Sequence, residues 1–202
     1  MCYNYPMLPR WMRLLTMGDM VYLMAFGLLA PVFALFLKQQ IPGVTLMSVG
    51  LAEAVFLLTL GLIRPFAELS CKNDFRGLRA QKMLWFGSVL AICAPFFYLM
   101  ARDMVDIYVI QALYGVGLAF SEPAWDRMEM KTCHLASGPI WFRLDAFGAL
   151  LAAGLALLGG TIAQNQGMGA LLAFFGVTLL LASALMAVAY RRLALNKAHG
   201  SL

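Results

Sequence analysis

The chain has 202 residues, of which 62% are hydrophobic and only 12% are charged, with a formal net charge of +5. A soluble domain carries about 25% charged residues, so this chain lacks the polar material to cover a surface that faces water, and a soluble fold is excluded. Its four cysteines show no paired spacing, which argues against a disulfide scaffold or a zinc site. The mean hydropathy of +0.80 instead predicts an integral membrane protein.

Apolar runs long enough to cross a bilayer, which takes about 20 residues, recur along the whole sequence. The uncharged stretch Ala146–Tyr190 is too long for one crossing, and the polar sequence Gln164–Gly167 divides it in two. Alternation with a period of two residues is absent, and strand edges cannot stay unpaired in lipid, so no strands are expected. We therefore predict an all-α membrane protein, a single bundle of six transmembrane helices over residues 1–202. The spans are predicted at about 14–37, 47–69, 83–101, 105–125, 140–163 and 168–190.

Basic residues are distributed unequally between the two sides of this bundle. One side carries twelve Lys and Arg and the other only Lys38 and Arg102, and with Arg64 inside a span these are the 15 of the chain. Because Lys and Arg are enriched in cytoplasmic loops, both termini are predicted in the cytoplasm, in a multi-pass protein of the cell membrane. The same asymmetry accounts for the positive charge, so the lipid bilayer is the expected surrounding and no nucleic-acid partner is predicted.

Several ionisable residues lie within the predicted spans, where burial is costly unless a partner or a water-filled cavity receives them. Glu53 and Arg64 are eleven residues apart, which places them about 20° apart around a helix at ~100° per residue. Gln111 and Glu122 have the same spacing on the fourth span. Two interpretations stay open: these residues pair structurally or reach towards an interface, or they line a cavity. A medium of low dielectric disfavours the charged form of a carboxyl group, so Glu53 is a candidate proton carrier.

Small residues concentrate on the fifth span, where Gly148, Ala152, Ala156 and Gly160 are spaced by four residues. This pattern lets helix backbones approach closely. The close approach can occur within one chain or between two chains, and the spacing alone does not choose between them.

The loop after the second span carries the sequence DFRGLR at Asp74–Arg79. It resembles the signature G-x-x-x-D-R-x-G-R-R of the major facilitator superfamily, although Ser70 stands at the leading glycine and Phe75 at the first arginine. The segment Tyr114–Ala124, with YGVG followed by PA, resembles the fourth helix of that family. Leu155–Gly160 resembles part of its fifth-helix motif. The resemblance covers nearly the whole chain.

This resemblance implies half of a major facilitator fold, because members of the family have twelve helices in two six-helix halves related by an axis along the membrane normal. A parallel homodimer would rebuild that shape, with the small residues of the fifth span packed on the second span of the partner copy. The implied substrate and proton pathway lies near the midplane between the first, second, fourth and fifth spans. Its predicted lining is Tyr22, Phe26, Glu53, Arg64, Gln111, Tyr114 and Glu122. In the family the signature loop pairs with the cytoplasmic end of the fourth helix, which implies a gating charge network of Asp74, Arg76, Arg79 and Asp126.

The predicted function is secondary-active transport of a small solute by alternating access in the homodimer, with protons as a candidate coupling ion. Gln111 stands where the proton antiporters of the family carry an arginine. The alternative is a non-transporting membrane subunit that pairs with a different six-helix partner. An enzyme is not predicted, because the only histidines, His134 and His199, lie outside the spans. No metal or other cofactor is predicted, and no nucleotide-binding motif supports a pump driven by ATP.

Overall fold

The computed structural model of the chain describes residues 10–29, 32–72, 78–133 and 138–198, and within these ranges the chain is helical apart from short connections. No strand occurs in the described ranges, which confirms the predicted all-helical fold. The helices are α1 (Arg10–Leu29), α2 (Phe33–Gln40), α3 (Leu46–Lys72), α4 (Leu78–Met100), α5 (Met104–Cys133), α6 (Gly138–Gln166) and α7 (Met168–Ala198).

Within the described residues, the five helices α3 to α7 are each long and apolar enough to cross a membrane. The first predicted span is not one straight helix, because Thr16–Leu29 of α1 and Phe33–Gln40 of α2 meet at a bend of 48°. The sequence has Pro31 at this break, and proline interrupts a helix because it lacks an N–H group and its ring clashes with the preceding turn. The chain is thus a multi-pass membrane protein with five spanning helices, or six if α1 and α2 form one broken span.

The connections at the starts of α3, α5 and α7 are short. Gly167, with a φ of +90°, is the single residue between α6 and α7, so the long uncharged run divides where the polar sequence predicts. Before α3, the N–H of Ser48 donates to Thr45 Oγ1 at 3.1 Å and the N–H of Thr45 donates to Ser48 Oγ at 3.0 Å. Before α5, the N–H of Asp106 donates to Asp103 Oδ1 at 2.9 Å. These side chains cap backbone groups that have no partner within the helix, and so fix where each helix begins.

The helices pack in a pattern that repeats between the first and second halves of the chain. α1 packs on α7 and α6, and α5 packs correspondingly on α4 and α3. α4 also packs on α7, at the junction of the two sets. Exchanging α1 with α5, α3 with α6 and α4 with α7 leaves these contacts unchanged. The bundle therefore consists of two sets of three helices, α1 with α6 and α7 and α5 with α3 and α4, which share one pairing pattern.

α3 and α6 are the least buried of the spanning helices. Only 6% of the apolar window of α3 and 11% of that of α6 are buried, against 33%, 44% and 39% for α4, α5 and α7. Large apolar side chains on both helices point away from the bundle, as do Leu62 (67% exposed) and Leu157 (76% exposed). The interior is formed mostly by the other helices, with the fully buried side chains Phe36, Leu37, Ile107, Leu118, Leu171, Leu172 and Leu179.

Candidate functional site

Described residues of the predicted pathway line two separate cavities. One of them, called here the outer cavity because it lies towards the N-terminal ends of α3 and α5 that are predicted outside, has a volume of ≈ 250 Å³. Three predicted residues line it, Glu53, Gln111 and Tyr114. The other lining side chains are Leu29, Phe33, Phe56, Tyr98 and Phe175. They come from α1, α2, α3, α4 and α7, so the cavity depends on the packing of most of the bundle.

Aromatic rings form most of the wall of the outer cavity. Phe56 of α3 stacks on Tyr114 of α5, with ring centroids 5.4 Å apart and ring planes inclined by 24°. Phe33 of α2 meets Tyr98 of α4 edge-on, at 5.4 Å between centroids and 64° between planes. Such pairs favour defined relative orientations of the two rings. The packing of four helices therefore sets which ring surfaces face the cavity.

Two polar side chains interrupt this aromatic wall. Gln111 is only 4% exposed, and no described residue forms a hydrogen bond with its side-chain amide. Glu53 is exposed at the mouth of the cavity, and its carboxyl group has no basic partner among the described residues. It lies seven residues into α3, about 10 Å along the axis at 1.5 Å per residue. A carboxylate at this depth is costly unless water, a ligand or a partner chain reaches it.

A cluster of charged side chains joins α3 to α5 towards their C-terminal ends, and it is called here the Arg64 cluster. Arg64 donates from Nη1 to Glu122 Oε2 at 2.7 Å and from Nη2 to Asp126 Oδ2 at 2.8 Å. Its Nε donates to Glu68 Oε1 at 3.1 Å, one turn further along α3. Side-chain exposure ranges from 28% for Glu122 to 55% for Glu68, so water reaches the cluster. One guanidinium and three carboxylates leave two excess negative charges when all are ionised.

The second cavity, the inner cavity, lies beside the Arg64 cluster and has a volume of ≈ 320 Å³. Three predicted pathway residues line it, Tyr22, Arg64 and Glu122. Asp126 and the hydroxyl groups of three serines add further polar atoms. The remaining lining residues are Leu84, Ser88, Ala91, Ile92, Ser121, Trp125, Leu179, Ser183 and Met186. The inner cavity thus combines charged and hydroxyl groups inside an apolar bundle.

The two cavities lie at different depths because α3 and α5 run side by side in the same direction. At the middle of this contact a Cβ atom on Gly115 would lie 2.8 Å from the carbonyl oxygen of Phe56. Glu53 and Arg64 on α3 are eleven residues apart, as are Gln111 and Glu122 on α5. Eleven residues correspond to about 16 Å of helix rise. Each helix therefore contributes one polar side chain to the outer cavity and one to the inner cavity.

The structure joins residues that the sequence assigns to different groups. Arg64 and Glu122 are predicted in the pathway and Asp126 in the gating network, yet all three meet in the Arg64 cluster. Spacing on one helix does not reveal this contact, because it depends on the register between α3 and α5. The fifth span, predicted to line the pathway, contributes no described residue to either cavity. It packs instead on the outside of α1 and α7.

The rest of the predicted gating network is described only in part. Asp74 and Arg76 lie outside the described residues. Arg79 is exposed in the first turn of α4. The side chain of Phe26, predicted in the pathway, also lies outside the described part of the structure.

The small residues of α6 point to more than one side of the helix. Gly27 of α1 lies against Ala152, so that a Cβ on Gly27 would be 2.5 Å from the Ala152 carbonyl oxygen. At Gly160, by contrast, no atom lies within 4 Å of an added Cβ. Gly148 is buried and Ala156 is half-buried. Of the four predicted residues, Ala152 thus serves packing within the chain, and Gly160 faces open space.

Most of the lining of both cavities was not predicted from the sequence. The unpredicted residues include aromatic side chains of the outer cavity and the serines of the inner one, namely Phe33, Phe56, Tyr98, Phe175, Ser88, Ser121 and Ser183. Phenylalanine and serine are ordinary in membrane helices, so their residue types give no signal. Their role follows only from four or more helices meeting at one depth.

The chain was also compared with known proteins. No family model matches it, and no curated protein or solved structure gives a significant match. Its function is therefore inferred from the cavities, the charges and the packing of the helices.

Proposed function

We propose that the chain is a secondary-active transporter of a small solute, built as half of a major facilitator fold and working as a parallel homodimer by alternating access. The observation that carries this proposal is the pair of cavities at two depths of one apolar bundle, both lined by polar residues of α3 and α5. Ionisable side chains inside membrane helices are expensive, and they mark substrate and ion pathways. In this proposal, the solute enters from one side of the membrane through the outer cavity and from the other side through the inner cavity.

The repeated packing pattern supports this choice of fold. Each six-helix half of a major facilitator transporter contains two three-helix repeats of inverted topology. Here the exchange of α1 with α5, α3 with α6 and α4 with α7 preserves the helix contacts. In such transporters the second helix of one half meets the fifth helix of the other. The corresponding helices of this chain, α3 and α6, are the ones whose surfaces are least covered.

The exposed faces of α3 and α6 support a second copy as the partner. Glu53 lies on the exposed side of α3, where lipid alone would leave its carboxyl group in an apolar medium. On each helix a glycine leaves open space for a close backbone approach, Gly61 on α3 and Gly160 on α6. Small and polar residues are what helix contacts in membranes use. In the proposed dimer, α3 of one copy packs on α6 of the other, with both termini of each copy in the cytoplasm of a cell membrane.

The Arg64 cluster supplies a contact that a transport cycle can break. Half-exposed ion pairs contribute only about 0–1 kcal/mol each, because water and salt screen them. Arg64 holds α3 to α5 through two such pairs, beside the inner cavity. Their rupture opens the inner cavity towards the predicted cytoplasmic side at small cost.

Alternating access is tested by cysteine labelling from each side of the membrane. Single cysteines replace Phe56 in the outer cavity or Ser183 in the inner cavity, in a background that lacks the native cysteines. A membrane-impermeant thiol reagent should label Phe56→Cys from outside and Ser183→Cys from the cytoplasmic side. Adding Arg64→Gln should raise the inner labelling rate and lower the outer one. Arg102→Gln, which removes a charge from an exposed outer connection, is the matched control.

Labelling rates that change together, or not at all, contradict alternating access. The exposed faces of α3 and α6 also suit the second candidate, a non-transporting subunit with a different six-helix partner. The mass in nanodiscs separates the two: a homodimer gives about twice 22.2 kDa. A stoichiometric second polypeptide, with no change in labelling on Arg64→Gln, favours the subunit.

A further inference from the structure

We infer that the outer cavity is the recognition site for a compact organic cation, with Glu53 as the counter-ion and the surrounding aromatic rings as the wall that holds the cationic group. Such a site rests on the proposed transport function, since it names the class of solute that is moved. A transport function alone does not indicate the charge of the solute, whereas the residues that line the cavity do indicate it.

The outer cavity combines one carboxylate with several aromatic rings. A cation is attracted to the face of a tyrosine or phenylalanine ring within about 6 Å of its centroid, and this attraction is stronger where water is excluded. Five of the eight lining residues are aromatic, and Tyr98 and Tyr114 are 3% and 7% exposed. Glu53 at the mouth supplies the negative charge. A neutral apolar solute would not need that carboxylate, and an anion would be repelled by it.

Gln111 adds a polar group to the wall of the outer cavity. Its side chain is 4% exposed, faces the cavity and forms no hydrogen bond with the described residues. Because the residue lines the cavity, a ligand or water there can form a hydrogen bond with its amide. Its carbonyl oxygen can accept a hydrogen bond from an ammonium group, or its amide can donate to a hydroxyl group next to the charge.

The charge distribution along the bundle excludes an anion as the solute. Arg64 is the only basic side chain that lines either cavity within the described residues, and three carboxylates already surround it. When its carboxyl groups are ionised, the Arg64 cluster carries an excess of negative charge beside the inner cavity, which has the same sign as the charge of Glu53. A cation therefore meets attraction at both depths.

The size of the outer cavity limits the ligand. Small-molecule pockets usually measure about 300–1,000 Å³. At ≈ 250 Å³ the outer cavity is slightly smaller, so it suits a single ring or a branched alkyl group with one charged nitrogen.

The test is equilibrium binding of radiolabelled benzyltrimethylammonium to the full chain in nanodiscs of zwitterionic lipid, which avoids adsorption of the cation to anionic lipid. The parent should bind the probe saturably. Phenylmethanesulfonate, of similar size and opposite charge, should not compete. Glu53→Gln keeps the shape of the side chain and removes its charge, and should raise the Kd about tenfold or more, because the Coulomb attraction between the carboxylate and the quaternary ammonium is lost. Glu53→Asp keeps the charge, so it should raise the Kd less than Glu53→Gln does.

Matched variants separate the cavity from the rest of the surface. Phe56→Leu should raise the Kd several-fold, because it removes one ring of the wall and its cation–π contact. Phe97→Leu removes an exposed ring on α4 that lines neither cavity. Asp103→Asn removes an outer carboxylate and keeps its cap on Asp106. Both controls should leave the Kd unchanged, and a monodisperse elution profile confirms that each variant is folded.

The results distinguish the cation site from the transport proposal. Absence of saturable binding, an unchanged Kd in Glu53→Gln, or displacement by the sulfonate overturns the cation site. Binding that depends on Glu53 without alternating labelling leaves the site in place and overturns transport. Alternating labelling without binding of the probe supports transport and overturns the cation site.

Discussion

Among single residues, Arg64 has the largest set of charged contacts in the described part of the chain. Its guanidinium group contacts one carboxylate on α3 and two on α5. Without it, three acidic side chains would face one another beside the inner cavity with no positive charge between them. The net effect of the cluster on stability therefore depends on the arginine more than on any one acid.

Arg64→Gln is expected to lower the free energy of unfolding by about 1–3 kcal/mol, less than for a fully buried pair because the cluster is half-exposed. Glutamine keeps a donor for one carboxylate but leaves the repulsion uncompensated. The measurement is thermal unfolding in mild detergent, followed by tryptophan fluorescence, and Arg102→Gln is the control. A melting temperature equal to that of the control variant would contradict a role of Arg64 in holding α3 to α5.

At the scale of elements, the contact between α3 and α5 sets the position of both cavities. Gly115 allows the two backbones to approach, and the Arg64 cluster joins the same helices further along. The stacked rings of Phe56 and Tyr114 lie beside Gly115 in this contact, about two helix turns from the Arg64 cluster. A shift of one helix along the other would separate the rings and the ion pairs together.

Two alanine substitutions should affect stability in opposite directions. Gly115→Ala places a Cβ 2.8 Å from the Phe56 carbonyl oxygen, and such overpacking costs about 1–3 kcal/mol. Gly50→Ala places the same atom on α3, where nothing lies within 4 Å. There alanine should stabilise the helix by about 0.5–1 kcal/mol through its lower backbone entropy. Thermal unfolding of both variants is the measurement, and an equal shift in both would show that the α3–α5 contact is looser than described.

At the scale of the whole molecule, the open faces of α3 and α6 are the surfaces on which the proposed homodimer depends. Both faces carry large apolar side chains that no other part of the described chain covers. Lipid can cover such side chains equally well. The exposed carboxyl group of Glu53 is the feature that lipid does not satisfy.

The proposed homodimer is tested by a disulfide cross-link between copies. Cysteines replacing Leu58 on α3 and Leu157 on α6, which are 63% and 76% exposed, should cross-link two copies upon oxidation. Gly160→Leu should reduce this product, because it fills the open space at the proposed contact, and the protomer should stay folded. Ala152→Leu should instead destabilise the protomer, because Ala152 already packs on Gly27.

A cysteine at Val177 of α7, which is also exposed, serves as the matched control and should give no product with Leu157→Cys. If the α3–α6 pair gives no intermolecular product in a folded parent, the homodimer is wrong. A different six-helix partner is then the remaining candidate.

The sequence alone determined the class of the protein and the order of its helices. The shortage of charged residues requires lipid contact, and backbone groups in lipid can be satisfied only within helices or closed barrels. Local chemistry also placed the turn at Gly167, where polar residues interrupt the apolar run. The spacing of Glu53 and Arg64 predicted that both lie on the same stripe of α3, because the angle between two residues of one helix depends on that helix alone.

Tertiary structure decided what those residues contact. Arg64 meets Glu122 and Asp126 across 58 and 62 residues of chain, and the register between two helices is not encoded in the spacing on either. The same holds for the division of one predicted pathway into two cavities and for the use of Ala152 within the chain. In an apolar bundle many faces are equally hydrophobic, so periodicity cannot show which of them packs inside. The faces that pack inside are selected only by the close approach of particular helix backbones.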